Sequence, residues 1–233
     1  MHNIEKNLSA VRQHIVEAAR RYQRKPEQIK LLAVSKTKPL QDILSAYALG
    51  QRDFGENYLQ EAEQKILALQ HKHITWHYIG PIQSNKTRPI AALFDWVHSV
   101  DRLKVAQRLS AQRLPEQAPL NVLLQVNVEH EASKSGIHLD EISHLAEQVE
   151  ALPQLRLRGL MAIPARHHNE QAQRKPFALM HQALLDLQQN HTGCDTLSMG
   201  MSGDMDAAIA EGSTLLRIGT AIFGARDYSN LNP

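Results

Sequence analysis

The 233-residue sequence has a single cysteine, Cys194, so no internal disulfide can form. That suits a reducing cytoplasm. Long apolar runs are missing as well: none approaches the roughly 18 residues that a spanning helix needs. The N-terminus, Met1-His2-Asn3-Ile4-Glu5-Lys6, has no apolar stretch of the signal-peptide kind. The expectation is a cytoplasmic protein with no membrane association. An excess of one charge is absent too, with 26 Lys and Arg against 24 Asp and Glu. No block of basic residues stands out, which argues against a nucleic-acid partner. No Gly-x-Gly-x-x-Gly follows the first apolar strand, which disfavours an open doubly wound sheet of the dinucleotide-binding kind. The 11 glycines and 10 prolines stand singly at element ends, so nothing reads as a linker. There is no internal repeat and no low-complexity tract. Residues 1–233 therefore read as one domain.

What is present is a 42% hydrophobic composition, enough for a sizeable core. The length suits one α/β barrel, which typically runs to about 250 residues. Residues 3–24 carry Ile4, Leu8, Val11, Ile15, Ala18 and Ala19 at helical spacing, ended by Pro26. Leu31-Leu32-Ala33-Val34 is then a short apolar run without polar alternation, as in a strand buried on both faces. A helix over 39–49, closed by Gly50, follows. The alternation continues with strands at 53–57, 75–80, 96–100, 121–128, 157–163, 196–199 and 215–218. The matching helices fall at 58–70, around 86–94, and at 102–113, 139–151, 171–189 and 204–211, with a short apolar tail to Phe223. Eight strands, each followed by a helical segment, predict a single (β/α)₈ TIM barrel with an extra N-terminal helix.

In such barrels the site lies at the C-terminal ends of the strands. The first strand runs into Ser35-Lys36-Thr37-Lys38. Side chains alternate along a strand, so Leu32, Val34 and Lys36 share a face and Lys36 is aimed at the barrel mouth. A rim lysine often does no more than reach solvent. It becomes a Schiff-base lysine when its amine is desolvated or flanked by cations. After the seventh strand comes Gly200-Met201-Ser202-Gly203, and after the eighth Arg217-Ile218-Gly219-Thr220. These two loops are where such barrels build phosphate sites. Glycines there are commonly turn punctuation. Two small-residue loops facing a strand-end lysine, with hydroxyls on Ser202 and Thr220, point further. They supply an amine for an aldehyde and a cradle for a phosphate, which is what pyridoxal 5′-phosphate requires. Arg217 is either a salt-bridging barrel arginine or a partner of the pyridine nitrogen. It can donate but not accept a proton, which leaves the ring a weak electron sink and disfavours aminotransferase-like chemistry.

The segments Ala33-Val34-Ser35-Lys36-Thr37-Lys38, Phe54-Gly55-Glu56-Asn57-Tyr58, Trp76-His77-Tyr78-Ile79-Gly80, Gln83-Ser84-Asn85-Lys86, Ser133-Lys134-Ser135-Gly136, Gly159-Leu160-Met161, Met199-Gly200-Met201-Ser202 and Arg217-Ile218-Gly219-Thr220-Ala221-Ile222-Phe223-Gly224 carry a family likeness. They cover the chain in order, and it resembles the pyridoxal phosphate homeostasis proteins, with a bacterial member as the expectation. The resemblance implies a fold like the alanine racemase barrel domain, with the cofactor on Lys36. It places phosphate contacts on Ser202, Gly219 and Thr220 and the ring-nitrogen contact on Arg217. Asn57 and Met161 fall beside the ring, and Lys134 and Glu131 in a lid-like region that handles the cofactor. It further implies a monomer without established turnover that keeps pyridoxal phosphate, and through it amino and keto acids, in balance. PLP-dependent apoenzymes are possible recipients. Alanine racemases add a β-rich second domain bearing a catalytic tyrosine; ending at Pro233, this sequence shows none, which agrees with a non-catalytic role.

Other residues are read more plainly. The 13 histidines include His71, His73 and the pair His167-His168, but their spacings are loop-like and argue against zinc. His77 reads as a packing or hydrogen-bonding residue. Cys194 reads as an incidental thiol, Gln83–Lys86 as a helix cap or mouth residues, and 165–175 as a polar surface loop. Two other functions stay open: a racemase or lyase using the same cofactor, and a barrel enzyme whose Lys36 reacts with a sugar phosphate.

Overall fold

A computed structural model describes residues 3–225. Eight parallel strands close into a barrel in sequence order, with β1 paired to both β2 and β8. The strands are β1 (Lys30–Val34), β2 (Asp53–Glu56), β3 (Thr75–Tyr78), β4 (Trp96–Val100), β5 (Leu120–Val126), β6 (Leu155–Ala162), β7 (Thr196–Ser198) and β8 (Leu215–Ile218). The helices are α1 (Ile4–Arg21), α2 (Leu40–Ala48), α3 (Leu59–Ala68), α4 (Thr87–Leu93), α5 (Leu103–Gln112), α6 (Ile142–Glu150), α7 (Glu170–Gln188), α8 (Met205–Ala210) and α9 (Thr220–Phe223). The expected (β/α)₈ barrel with an added N-terminal helix is what forms. The single-domain reading of 1–233 includes residues 1, 2 and 226–233, which lie outside the described residues.

The N-terminal helix is capped by Asn3, whose side chain accepts from the Lys6 amide at 2.9 Å. It buries the predicted stripe Ile4, Leu8, Val11, Ile15, Ala18 and Ala19 against α2, α8 and α9. Each large aliphatic chain so buried contributes about 1.5–3 kcal/mol. The weak strand at 53–56 forms because Phe54 is fully buried between sheet and helices. The apolar tail to Phe223 is a short helix rather than a coil. Residues 165–175 are not simply a surface loop: α7 begins at Glu170, capped by the Asn169 side chain.

The apolar core lies mostly between strands and helices. Inside the barrel, Trp96, Leu123 and Met161 form a separate apolar cluster. Alongside it run polar groups, among them His77, His98, Ser198 and Arg217, all buried. A bulge in β6 makes this arrangement possible. The register of β5 against β6 shifts between Val122 and Leu123, and Gly159 sits there at φ 137°. A Cβ at Gly159 would lie 2.1 Å from the Thr196 carbonyl oxygen, so only glycine fits. The extra residue changes the parity of the strand. Arg158 below it lies over the Trp96 ring, and Met161 above it packs against the same tryptophan.

Candidate functional site

At the C-terminal ends of the strands lies a cavity of about 530 Å³. Its lining includes Lys36, Asn57, Ser202, Arg217, Gly219 and Thr220, six of the seven predicted site residues. Met161 is not in the lining. It is fully buried one inward step below Ile163, which takes the lining position just past the end of β6. The volume falls in the range of about 300–1,000 Å³ usual for small-ligand sites.

Lys36 is aimed by its two neighbours. Ser35 extends the β1 ladder by one bond, its amide donating to Gly55 O at 3.0 Å. Its hydroxyl donates to Glu56 Oε1 at 2.6 Å, and its carbonyl accepts from Lys65 Nζ at 2.8 Å. Lys65 also donates to Glu56 Oε1 at 2.8 Å and Glu61 Oε1 at 2.5 Å. On the other side Thr37 stands at φ 63°, and its amide donates to Glu61 Oε1 at 2.6 Å. Left-handed backbone costs a residue with a Cβ about 1–2 kcal/mol, and the partly buried Glu61–Lys65 contacts hold it there. Burial pushes the Glu56 carboxyl upward, against the pull of Lys65 and Ser35. The nearby Lys38 is committed elsewhere. Its amine donates to Phe223 O at 3.0 Å and Ala225 O at 2.7 Å, fastening the end of α9.

On β8, the strand next to β1, Arg217 is 5% exposed. Its Nη1 donates to Ser198 O at 2.7 Å and Ser198 Oγ at 2.8 Å, and its Nη2 to Ala162 O at 2.9 Å. A guanidinium has five N–H donors, so the Nε–H and one Nη2–H are left for a ligand in the cavity. Burial lowers its pKa to about 10, opposed by the Asp204 charge. It stays a cation and a donor at neutral pH.

The two small-residue loops stand beside it. Gly200, at φ 95°, turns the chain out of β7; a Cβ there would lie 2.5 Å from Ala208 Cβ and 2.8 Å from Leu216 Cδ2. The turn is tied off by Asp204 Oδ1, which accepts from the Met201 amide at 2.5 Å. Burial raises the Asp204 pKa against that bond and Arg217. Gly219 lets the loop after β8 approach β1, since its Cβ would come 3.2 Å from Val34 O. Ser202 and Thr220 are exposed to the mouth. An amine, a donor-only cation and two loops with hydroxyls thus share one cavity. That donor set fits an aldehyde-bearing phosphate ester with an acceptor nitrogen.

Some lining residues escaped the reading of the sequence. Ala165, Arg166, His167 and His168 line the cavity, in the segment read as a surface loop. Glu129 fastens it, accepting from the Ala165 amide at 2.5 Å and contacting His167 Nε2 at 2.6 Å. The signal was present in position: the segment follows the C-terminal end of β6. Lys134 and Glu131 lie outside this cavity. Lys134 pairs with Glu131 at 2.5 Å, donates to Ile163 O at 3.0 Å and lines an adjoining hollow of about 210 Å³. The Gln83–Lys86 stretch is a short 3₁₀ turn leading into α4 and does not reach the cavity lining.

The remaining candidates are structural. His77 is buried, stacked on Trp96 with ring centres 5.5 Å apart, and bonded to Asp53 and His98. Cys194 is 1% exposed, and burial pushes its thiol up to about 12, so no thiolate nucleophile is available. Among the described residues no three His, Cys, Asp or Glu side chains gather as a metal site. Among them, too, no helix is long and apolar enough to cross a membrane. A larger cavity of about 670 Å³ opens at the other end of the barrel. Its cations are committed, Lys30 to Asp53 at 3.0 Å, Arg158 to Asp195, and Arg24 to the Ile209 and Ser213 carbonyls.

Residues 6–227 match the family model described as alanine racemase, N-terminal domain. The chain is 58% identical over 228 residues to the pyridoxal phosphate homeostasis protein of Pseudomonas aeruginosa, covering 98% of each chain. It is 55% identical over 232 residues to the protein of that name from Escherichia coli, covering 98% of this chain and 99% of that one. Among solved structures, PipY of Synechococcus elongatus with PLP bound superposes with a TM-score of 0.82 at 35% identity, over 95% of this chain and 100% of that chain. Alanine racemase from Corynebacterium glutamicum shares the fold, with a TM-score of 0.68 at 16% identity over 94% of this chain and 62% of that chain.

Proposed function

The chain belongs to the pyridoxal phosphate homeostasis proteins, with an alanine racemase N-terminal domain, and from that premise we propose that it carries pyridoxal 5′-phosphate on Lys36 as a Schiff base. The carrying observation is the cavity that Lys36 lines together with Arg217, Ser202, Gly219 and Thr220. When bound, the cofactor supplies an aldehyde that condenses with primary amines. The chain's own residues divide the rest of the work. Lys36 provides the amine, held at the mouth by the Ser35 and Thr37 bonds. Arg217 donates toward the ring nitrogen through its two remaining N–H groups. Ser202, Thr220 and the Gly219 backbone bind the phosphate, and Asn57 packs beside the ring. Met161, under the floor with Trp96 and Leu123, supports the ring from beneath rather than touching it.

Arg217 argues for carriage over turnover. It offers no proton acceptor and no carboxylate to the ring nitrogen, so carbanion chemistry on a bound amino acid gains little. The role is to hold the cofactor, keep it from wandering and release it, with effects on amino-acid and keto-acid balance. Recipients would be PLP-dependent apoenzymes. The protein acts as a monomer in the cytoplasm, and residues 1–233 form one unit.

The test is colour and turnover. Loaded with pyridoxal phosphate, the protein absorbs in the visible region of a lysine-bound cofactor, and Lys36→Ala abolishes the band. A panel of amino acids then gives no sustained turnover. Steady racemisation or elimination would make it an enzyme; absence of the band would favour a sugar-phosphate reaction at Lys36.

A further inference from the structure

A file of buried polar groups runs through the barrel beneath Arg217. Asp53 Oδ1 lies 3.1 Å from His77 Nε2, and His77 Nδ1 lies 2.9 Å from His98 Nε2. His98 Nδ1 lies 3.0 Å from Ser198 Oγ, which accepts from Arg217 Nη1 at 2.8 Å. The groups come from five strands, and the two imidazoles and Ser198 are fully buried. Hydrogen-bond directions in such a file are not independent, because a neutral imidazole has one donor and one acceptor.

The directions can be solved from the lower end. Asp53 is a carboxylate. Burial would raise its pKa, but His77 and Lys30 lower it overall. An acceptor nitrogen 3.1 Å from a carboxylate oxygen would be repelled, so His77 carries its proton on Nε2. A neutral His77 then accepts at Nδ1, and His98 must donate from Nε2. His98 therefore accepts at Nδ1, and the Ser198 hydroxyl must donate to it. That leaves Ser198 Oγ only lone pairs for its other neighbour, and that neighbour, Arg217, can only donate. The Asp53 end sets this sense, and the donor-only Arg217 end is compatible with it.

The alternative is an imidazolium at His77, which would reverse the two upper bonds. It would place another cation in a core already facing Lys30 on Asp53, Arg217 on Ser198, and Arg158 over the Trp96 ring that stacks on His77. Burial disfavours the charged form at both histidines.

We infer that Asp53, His77, His98 and Ser198 form a one-way hydrogen-bond relay, both histidines in the Nε2–H form, that positions Arg217 with its remaining donors toward the cavity. The groups are positioning residues; none of the four lines the cavity. A Ser198 hydroxyl free to rotate would let the guanidinium slide. With its proton committed to His98, it stays a fixed acceptor, and the backbone carbonyls of Ser198 and Ala162 complete the seat. The part that concerns the ring nitrogen rests on the proposed cofactor site.

The test uses two independent readings. In the full-length protein labelled with ¹⁵N-histidine, imidazole shifts at neutral pH should show His77 and His98 neutral with Nε2 protonated, and scalar coupling across the His98–His77 bond. A protonated ring or an Nδ1–H form at either residue overturns the relay. Assignment uses His77→Gln and His98→Gln, and the wild-type spectrum alone decides should either variant fail to fold. Second, protein loaded with pyridoxal phosphate labelled at the ring nitrogen is compared with Ser198→Ala and Ser198→Thr. Alanine should shift the ring ¹⁵N signal and speed cofactor loss; threonine, which keeps the hydroxyl, should restore both. An unchanged signal in Ser198→Ala, with the cofactor still found on Lys36 by mass spectrometry, overturns the positioning role alone. A cofactor absent from Lys36 in wild type refutes the site assignment and leaves the tautomers standing.

Discussion

Acidification should destabilise this protein through His98 in a way one substitution can remove. The buried His98 ring has its pKa held well below the ordinary 6.5, by burial first and then because a second proton there would face His77 and the Arg217 cation. The unfolded chain, by contrast, takes up a proton near pH 6.5. The stability contributed by the neutral ring is therefore present above that pH and is lost as pH falls. The limiting slope is about 1.4 kcal/mol per pH unit for one proton. Between pH 7 and pH 5, with the folded ring neutral throughout, the loss integrates to about 2 kcal/mol. His98→Gln keeps an acceptor and a donor for Ser198 and His77 but has nothing to titrate. Urea unfolding of both proteins at pH 7, 6 and 5, cofactor-free, measures the difference. Wild type should lose about 2 kcal/mol more than the variant over that range. Titrating groups that do not touch His98 are common to both proteins and cancel in the comparison, and His77 keeps a hydrogen-bond partner in the glutamine variant. Parallel curves, whatever the offset between them, would refute the reasoning that His98 is a neutral ring sealed in the barrel.

Other expectations follow from the same geometry. Gly200→Ala forces a Cβ into left-handed backbone and against Ala208 and Leu216, so it should cost about 2–5 kcal/mol in a thermal or urea melt. Gly203→Ala, with nothing within 4 Å of its added Cβ, is the matched control and should change stability by less than about 0.5 kcal/mol. Ser202→Ala and Thr220→Val should each weaken cofactor retention about tenfold or more, at about 1.5–3 kcal/mol for each hydrogen bond to a charged phosphate. Equilibrium dialysis checks this, and unchanged retention sinks the cradle. Arg217→Met should leave Lys36 able to capture the cofactor yet shorten its residence, measured by transfer to an excess of a scavenging amine.

The barrel was legible because its strands are buried on both faces and its helices carry clean apolar stripes. Parity alone put Lys36 at the mouth, and Val34, two residues before it on the same face, lines the cavity with it. Met161, expected beside the ring, is fully buried and does not line the cavity. Position on the strand does not tell how deep an inward residue lies, and Ile163 occupies the mouth instead. The polar stretch at 165–168 read as surface because it is polar. It lines the cavity because Glu129, from the loop after β5, pins it there. The relay left no trace in spacing. Asp53, His77, His98, Ser198 and Arg217 stand on five different strands, and only closure of the barrel brings them into file.

The central claim is that Lys36, and not a neighbouring amine, holds the cofactor. Lys38 is tied to Phe223 O and Ala225 O, and Lys134 to Glu131 and Ile163 O. Protein loaded with pyridoxal phosphate, reduced with borohydride and digested for mass spectrometry should carry the pyridoxyl group on Lys36. Finding it on Lys38 or Lys134, with Lys36 unmodified, would contradict the account.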